Sequence, residues 1–360
     1  MPAYIGVNGK AKAISKVYKG NSSGKAELIF GPRGMVRSSK AIEELSGFYS
    51  GKASGTIGDY ALFAGGCDSS FNYISAIDVY NSSLIKTTPV SLSNGRCYPS
   101  MATVGNYTLF AGGENNSGSS ATVDSYTSSL TRTAATNLSI ARYWMGSASI
   151  GNYALFAGGR CNKNSRVDAY NSSLSRTTAS ALSVGRDNMA STRVGNYAIF
   201  AGGGKNDIND TLLSTVDAYN QSLTRSTAAN LSSARLCKAA TTIGNYALIG
   251  GGTGTGTSIG SKTIDVYTSS LTRTTSLSLS VERDGYGTSA ACVNNYALFA
   301  GGCSDYSNID VYDLSLTRTS DIYLSMNIDA IVATTVGKYV LFCGDIWSLS
   351  KAIDAYYLWE

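Results

Sequence analysis

Large aromatic side chains stand beside amides, carboxylates and cations in several short segments of this 360-residue chain. Aromatic planes next to hydrogen-bonding groups suit the apolar faces and hydroxyls of sugars, and they also suit the anchor positions of protein interfaces. The chemistry that these segments favour is therefore binding. The aromatic candidates are Phe71, Tyr73, Tyr98, Tyr143, Trp144, Tyr286, Tyr306 and Trp347, and the polar candidates are Asp187, Asn188, Lys238 and Asp284.

The residue types expected of a catalytic or metal centre are scarce. Histidine is absent, which removes the commonest metal ligand and the usual general base at neutral pH. The seven cysteines are an odd number and show no C-x-x-C spacing, so we expect reduced, packed thiols, no bound metal and no other cofactor. Asp and Arg residues that recur along the chain are interpreted as structural groups that tie turns together.

Composition limits the fold and the partners. The 39 glycines and 24 tyrosines, with abundant Ser and Thr, favour strands and tight turns over helices. The net charge of +5 is spread without a Lys/Arg run, so nucleic acid is not an expected partner. No stretch approaches the roughly 20 apolar residues that cross a bilayer. The opening residues lack the apolar core of a signal peptide, so we expect synthesis in the cytoplasm without export by that route.

The elements that must position the aromatic candidates belong to an internal repeat of roughly 42 to 50 residues, a period typical of solenoids and propellers. Each copy contains a turn, a short apolar strand and a Gly pair, followed by a V-D-x-Y strand and an L-x-R-T strand. With the strand before the turn, each copy has four short antiparallel strands, which is one propeller blade. The seven copies begin with GDYALFAGG at Gly58, GNYTLFAGG at Gly105, GNYALFAGG at Gly151, GNYAIFAGG at Gly195, GNYALIGGG at Gly244, NNYALFAGG at Asn294 and GKYVLFCGD at Gly337.

These copies predict an all-β fold, a seven-bladed β-propeller over residues 35–360. The seventh copy ends at AIDAYYLWE before a fourth strand, which would leave an unpaired edge. The segment VRSSKAIEELS, residues 36–46, aligns with LTRTAATNLS, residues 130–139, and is expected to supply that outer strand. The alternative of six blades and a half-unit leaves much repeat sequence unassigned.

Propeller geometry assigns the connections to two faces. The junctions between blades and the loops between strands 2 and 3 share one face, here called the first face, and the other two turns share the second face. The copies hardly vary on the second face but differ in sequence and length on the first. Because such loops on a rigid frame usually carry binding residues, we place the binding site on the first face. The alternative for each single ring is that it fills a gap between blades.

The Gly pair followed by V-D-x-Y resembles the kelch repeat over residues 36–360. The Trp expected six residues after the blade Tyr is replaced by Lys86, Arg132, Arg176, Arg225, Arg273 and Arg318. We expect each stem to cover the same apolar surface while its charged head stays in water. The copper-radical oxidases on kelch propellers need histidine ligands, and the S-x-D-x-G-x-T-W boxes of sialidase propellers are missing here too.

Residues 1–34 are predicted to form a separate segment with two short repeats, YIGVNGKAKAI (4–14) and YKGNSSGKAELI (18–29), each a small hairpin. This opening resembles short N-terminal repeats of tail, tail-fibre and adsorption proteins of phages that infect Gram-positive bacteria. The resemblance implies that residues 1–30 attach to other virion proteins. The alternative is a basic, Gly-rich leader with no attachment role.

Together the two resemblances imply a non-catalytic receptor-binding component of a phage tail, located in the virion, whose first face recognises a bacterial surface glycan or protein. Fibre-like proteins are often trimers, which implies a homotrimer, although no coiled coil is present. A second hypothesis is a cytosolic kelch scaffold whose junction arginines bind carboxylates of a partner peptide around the central opening. A third is a carbohydrate-active enzyme using first-face acids, namely Asp68, Asp187, Asp284 and Asp305.

Overall fold

The computed structural model of the chain describes residues 4–7, 10–13, 17–20, 26–30, 34–45, 51–68, 70–161, 164–205, 211–254, 260–302, 307–325, 331–345 and 350–359. Within these ranges there is no helix, and the strands include seven four-stranded antiparallel sheets. Accordingly, no described segment is a helix with the length and hydropathy needed to span a bilayer. The sheets are the blades of a seven-bladed β-propeller, which confirms the predicted fold class.

Each blade runs from an inner strand next to the central axis to a short outer strand. From inner to outer, blades 1 to 4 consist of Ala53–Ile57, Tyr60–Ala64, Ile77–Asn81 and Lys86–Thr87; Ser100–Val104, Tyr107–Ala111, Val123–Thr127 and Arg132–Ala134; Gly146–Ile150, Tyr153–Ala157, Val167–Tyr170 and Arg176–Thr178; and Ala190–Val194, Tyr197–Ala201, Val216–Tyr219 and Arg225–Thr227. Blades 5 to 7 consist of Ala240–Ile243, Tyr246–Gly250, Ile264–Thr268 and Arg273–Thr275; Thr288–Val293, Tyr296–Gly301, Asn308–Tyr312 and Arg318–Tyr323; and Val332–Val336, Tyr339–Asp345, Ser350–Trp359 and Gly34–Arg37.

The second strand of each blade is an almost continuous apolar run because both of its faces are covered. In Tyr107–Ala111, for example, every residue after the tyrosine is buried. The cores lie between neighbouring blades. One core joins Leu62 and Val79 of blade 1 to Phe110 and Tyr126 of blade 2. Apolar burial on this scale is the main force that holds the blades together.

The ring is closed by the N-terminal strand. Gly34–Arg37 pairs antiparallel with Ser350–Trp359, with Arg37 opposite Tyr356, so the predicted closure is confirmed. The strand lies two residues earlier than expected and stops at Arg37, and residues 38–45 form no strand. Blades 7 and 1 also meet at their inner strands, where Ser54 Oγ donates to the carbonyl of Ala333 at 2.9 Å. The sheet edge that the seventh copy would have exposed is therefore paired.

Two short hairpins precede the ring. Tyr4–Val7 pairs with Lys10–Ala13, and Val17–Gly20 pairs with Ala26–Phe30. Two further small ladders lie in first-face connections: Glu114–Asn115 pairs with Gly118–Ser119, and Arg235–Leu236 pairs with Thr253–Gly254.

Contacts between blades agree with the division into two faces. On the first face, the Gly pair of one blade reaches the junction that follows it, as when Gly113 N donates to Arg142 O at 3.0 Å. A Cβ atom on Gly113, whose φ is +107°, would lie 2.7 Å from the carbonyl oxygen of Cys97. Only glycine at position 113 allows its backbone to approach the backbone of Cys97 so closely.

A buried aspartate organises each blade, as Asp217 in blade 4 illustrates. Its carboxylate accepts from Ser183 N and Oγ at 3.1 and 3.0 Å and pairs with Arg186 at 2.8 Å and with Arg225 at 3.0 Å. The same pattern recurs with other members. The junction pairs are Arg96–Asp124, Arg142–Asp168, Arg235–Asp265 and Arg283–Asp310, and the outer-strand pairs include Lys86–Asp78, Arg132–Asp124, Arg176–Asp168, Arg273–Asp265, Arg318–Asp310 and Arg37–Asp354.

This arrangement corrects two expectations. The junction arginines are at most 1% exposed and are paired with carboxylates of their own scaffold, so they do not offer ligands to a peptide at the central opening. The outer-strand cations do not simply rest in water, because their heads pair with the blade aspartate even where, as in Arg225, the side chain is 31% exposed. The recurring Asp and Arg are structural groups that connect neighbouring blades.

Candidate binding site on the first face

Three aromatic rings from different junctions surround one ammonium group. Lys238 Nζ lies 5.6 Å from the ring centroid of Trp144, 5.6 Å from that of Tyr286 and 6.0 Å from that of Tyr98. These rings precede the inner strands of blades 3, 6 and 2, whereas Lys238 precedes the inner strand of blade 5. The lysine therefore reaches across the central axis. We call Tyr98, Trp144 and Tyr286 the aromatic collar.

A fourth aromatic ring, that of Tyr143, extends the collar on one side. Tyr143 packs edge-on against Trp144 with centroids 5.0 Å apart, and Tyr98 meets Trp144 at 5.4 Å. Of these rings Tyr286 is the most open, at 53% exposed, while Tyr98, Tyr143 and Trp144 are half-buried. Sequence reasoning had selected all four rings and Lys238, and the fold brings the five together.

The backbone that presents the collar is in an unusual conformation. Tyr98, Trp144 and Asn188 each stand two residues after a junction arginine, and their φ angles are 54°, 54° and 50°. Left-handed backbone is uncommon for residues other than Gly and Asn, and for a bulky side chain such as Trp it costs on the order of 1 kcal/mol. Hydrogen bonds around the ring hold it, including Asn188 N to Trp144 O at 3.2 Å and Tyr98 N to Gly51 O at 2.6 Å.

Lys238 has no salt-bridge partner in the described part of the chain, where it contacts ring faces instead. Burial lowers the pKa of its ammonium to about 8, because water is partly removed, while the charges of Asp187 and Asp284 partly offset this. Ring faces attract a cation and replace part of the lost hydration. At neutral pH the site therefore holds a positive charge with no counter-ion in contact among the described residues.

The acidic residues of the site are engaged in their own loops. Asp284 Oδ1 accepts from the backbone N–H groups of Tyr286 and Gly287 at 2.8 and 2.6 Å. Asp187 Oδ1 accepts from Asn188 Nδ2 at 2.9 Å. Asp68, in the blade 1 loop, accepts from Ser70 N and Asn72 N at 2.9 Å, which fixes a turn. These carboxylates shape the first face, and two of them, Asp187 and Asp284, act on Lys238 through space.

Two buried polar atoms beside the collar lack a hydrogen-bond partner among the described residues. One is the indole N–H of Trp144 and the other is Oδ1 of Asn188, a side chain only 4% exposed. Buried donors and acceptors are almost always satisfied in folded proteins. Because neither atom is open to solvent, a buried water is the group that can complete their hydrogen bonding.

The remaining candidates lie in the blade 1 loop or outside the described residues. Phe71, at 74% exposed, and the half-buried Tyr73 belong to the blade 1 loop between strands 2 and 3. Tyr73 forms a backbone bridge with Cys67 in that loop. Tyr306 and Trp347, and with them the acid Asp305, lie outside the described residues.

Sequence reasoning missed Arg160 and Glu114. The guanidinium of Arg160 lies 5.1 Å from the Trp144 ring centroid, and its backbone N–H donates to Tyr143 O at 2.7 Å. Glu114 pairs in the same way with Cys97. Both residues directly follow a Gly pair, and that position bonds to the residue after a junction arginine in the neighbouring segment. The regular spacing of Gly pairs was the signal that could have identified them.

The thiols and acids of the described residues form no metal site, since no group of three or more Cys, Asp and Glu side chains is arranged to hold an ion there. Cys67 and Cys97 are buried thiols that form no disulfide, and a hydrogen bond between their side chains lowers the pKa of Cys67 and raises that of Cys97. They support the connection between the blade 1 loop and the junction that carries Tyr98.

Comparison with known proteins gives information on the fold only. No family model matches the chain, and no curated protein matches its sequence. The solved structure titled "Structure of YjhT" is similar with a TM-score of 0.59 and 14% sequence identity, over 78% of this chain and 99% of that one. That protein is a kelch-type propeller, so the similarity supports the same architecture here.

Proposed function

We propose that this chain is a non-catalytic binding protein, a phage-type tail or tail-fibre component whose first face recognises a glycan on a bacterial surface. The observation that carries the proposal is the aromatic collar around Lys238 at the centre of the first face. Rings of this kind stack on the apolar faces of sugars, and the ammonium of Lys238 among them can donate hydrogen bonds to sugar hydroxyls.

The rest of the molecule supports binding rather than turnover. The acids Asp187 and Asp284 hold loop geometry through hydrogen bonds of 2.9 Å or less. The strained backbone at Trp144 is held by a rigid closed ring, which is how binding groups are commonly pre-organised. The tail assignment rests on the resemblance of residues 1–30, whose two hairpins precede the propeller.

The receptor role is tested by binding of the labelled full chain to a panel of bacterial cells and cell-wall saccharides. We expect saturable binding that falls at least about tenfold when Tyr98, Trp144 and Tyr286 are changed to Ala together. The matched control is Tyr323→Ala, an aromatic that is 54% exposed on the outer strand of blade 6. Absence of binding by the natural chain, or equal binding by the folded triple variant, would overturn the receptor role.

The attachment role is tested by deleting residues 1–30. This cut leaves the closing strand Gly34–Arg37 in place, so the propeller keeps its seventh blade. We expect the shortened chain to bind cells as before but to lose co-sedimentation with phage tails. Co-sedimentation that survives the deletion would assign the opening residues no attachment role.

A further inference from the structure

We propose that the collar binds a monoanionic group on a saccharide, with Lys238 Nζ as the contact to its oxyanion. This deepens the receptor role proposed above and rests on it. The chemistry is that of a sugar carrying one negative charge, whether a carboxylate or a phosphodiester. The experiment below separates these two sources.

The first argument is the unbalanced charge of Lys238. Every junction arginine that the structure describes is paired with a carboxylate at 2.8 to 3.0 Å, whereas Lys238 meets only ring faces. A half-buried cation without a contact counter-ion gains more from an arriving anion than an exposed cation does, because less water must be displaced. The site is therefore built to prefer an anion over a neutral group of the same shape.

The second argument concerns the size of the charge. Asp187 and Asp284 act on Lys238 through space, and their negative potential opposes a ligand with two charges. Arg160 adds a second positive charge 5.1 Å from the Trp144 ring centroid. The two cations and the two carboxylates balance one another, so a ligand with one negative charge meets less repulsion than a ligand with two.

The third argument is that the anion must be part of a larger polar ligand. A free inorganic anion would use the ammonium of Lys238 alone and would make no use of the aromatic side chains around it. A sugar ring packs its C–H groups against aromatic side chains. An acidic saccharide contacts the cation and the aromatic side chains at once.

The test is calorimetric titration of the full chain at pH 7 with pairs of methyl glycosides that differ only at C6. The neutral members are glucose and galactose, and the acidic members are glucuronic acid, galacturonic acid and the corresponding 6-O-methylphosphodiesters. We expect the acidic members of at least one series to bind about tenfold or more tightly than the neutral member. Preference for the carboxylate or for the phosphodiester identifies the source of the anion.

The residue is tested by Lys238→Met, with Lys262→Met as the matched control, since Lys262 is an exposed lysine in the first-face loop of blade 5. We expect the acid preference to disappear in Lys238→Met, with neutral binding retained, and to persist in Lys262→Met. Unfolding midpoints of both variants show whether the fold is intact.

The outcomes separate the inference from the receptor role. Equal binding of neutral and acidic members, lost in the collar triple variant, would keep the receptor role and overturn the anion site. An acid preference that survives Lys238→Met would also overturn it. Absence of any saccharide binding would overturn both.

Discussion

Arg235 and Lys238 lie three residues apart in the same junction, yet the fold treats the two cations in opposite ways. Arg235 is almost fully buried, pairs with Asp265 at 2.8 Å and donates to the carbonyl of Gly251 at 2.8 Å. Lys238 reaches the centre of the first face, where its ammonium lies over the faces of aromatic rings and forms no ion pair with a described residue. A buried charge is normally neutralised by its own scaffold. A cation without such a partner among the described residues indicates a position where a ligand can supply the opposite charge.

The largest expected effect concerns the paired cations. Arg186 and Arg225 both bind Asp217, but Arg186 is buried and Arg225 is 31% exposed. We expect Arg186→Met to lower the free energy of unfolding by about 3–5 kcal/mol, because it leaves a buried carboxylate short of its main partner. Arg225→Met, the matched control, should lower it by about 1 kcal/mol or less. Denaturant titration measures both, and equal losses would contradict the assigned difference between the two cations.

The second effect is the pH dependence of binding by the unpaired cation. Because the pKa of Lys238 is held at about 8, its charge is present at neutral pH and is lost as the pH rises further. The affinity for an acidic saccharide should then fall by about tenfold per pH unit above that value. The charged groups that act on the lysine are Asp187 and Asp284, and the phenol rings of Tyr98 and Tyr286 face it.

Calorimetry from pH 6.5 to 9.5 is the measurement, with the neutral glycoside as the internal control. The affinity for the neutral glycoside should not change with pH. A neutral ligand that weakens in parallel would point to a change in the whole site instead of in Lys238.

A smaller effect on stability concerns two buried tyrosine hydroxyls of the scaffold, one with a hydrogen-bond partner and one without a partner among the described residues. Tyr312 donates its hydroxyl to the carbonyl of Leu277 at 2.7 Å, whereas the buried hydroxyl of Tyr219 has no partner among the described residues. We expect Tyr312→Phe to cost about 1 kcal/mol of unfolding free energy and Tyr219→Phe to be nearly neutral. Thermal or urea unfolding measures the pair. Equal costs would mean that an ordered water satisfies Tyr219.

The last effect is the stability cost of Lys238. Its folded pKa of about 8 lies below the ordinary value of 10.5, so folding disfavours the charged form. This cost is fully present below pH 8 and is relieved as the pH rises toward 10.5, where the unfolded chain also loses the proton. Lys238→Met should therefore be more stable than the natural chain at pH 7, and the gap should close by pH 10.5. A gap that stays constant with pH, as expected for Lys262→Met, would show that Lys238 is fully solvated.

Much of the fold could be predicted because each blade repeats its signals locally. The Gly pair, the apolar second strand and the V-D-x-Y strand recur in fixed order, so their number gave the number of blades. The missing fourth strand after Ser350–Trp359 indicated that the N-terminus closes the ring, which the pairing of Gly34–Arg37 confirms. The end of that strand was misplaced because residues 38–45 align with a repeat but form no ladder.

The repeat did not reveal what its charged residues contact. The outer-strand cations were expected in water, and the junction arginines were offered as ligands for a peptide. Both expectations failed for one physical reason. The blade aspartate is buried between two blades, so it draws in cations from the outer strand and from the preceding junction, as Asp217 does with Arg225 and Arg186.

The sequence by itself determined the blades, their order and the face on which the chain varies, because strand periodicity and turn residues act over a few neighbours. Only the tertiary structure decided which of the variable residues meet. Tyr98 and Trp144 lie 140 and 94 residues before Lys238 in the chain, and Tyr286 lies 48 residues after it. No local pattern connects positions so far apart, and only closing the ring places the three rings around the lysine. That contact depends on the radius of a seven-bladed ring and on left-handed backbone at Tyr98 and Trp144, neither of which a local pattern encodes.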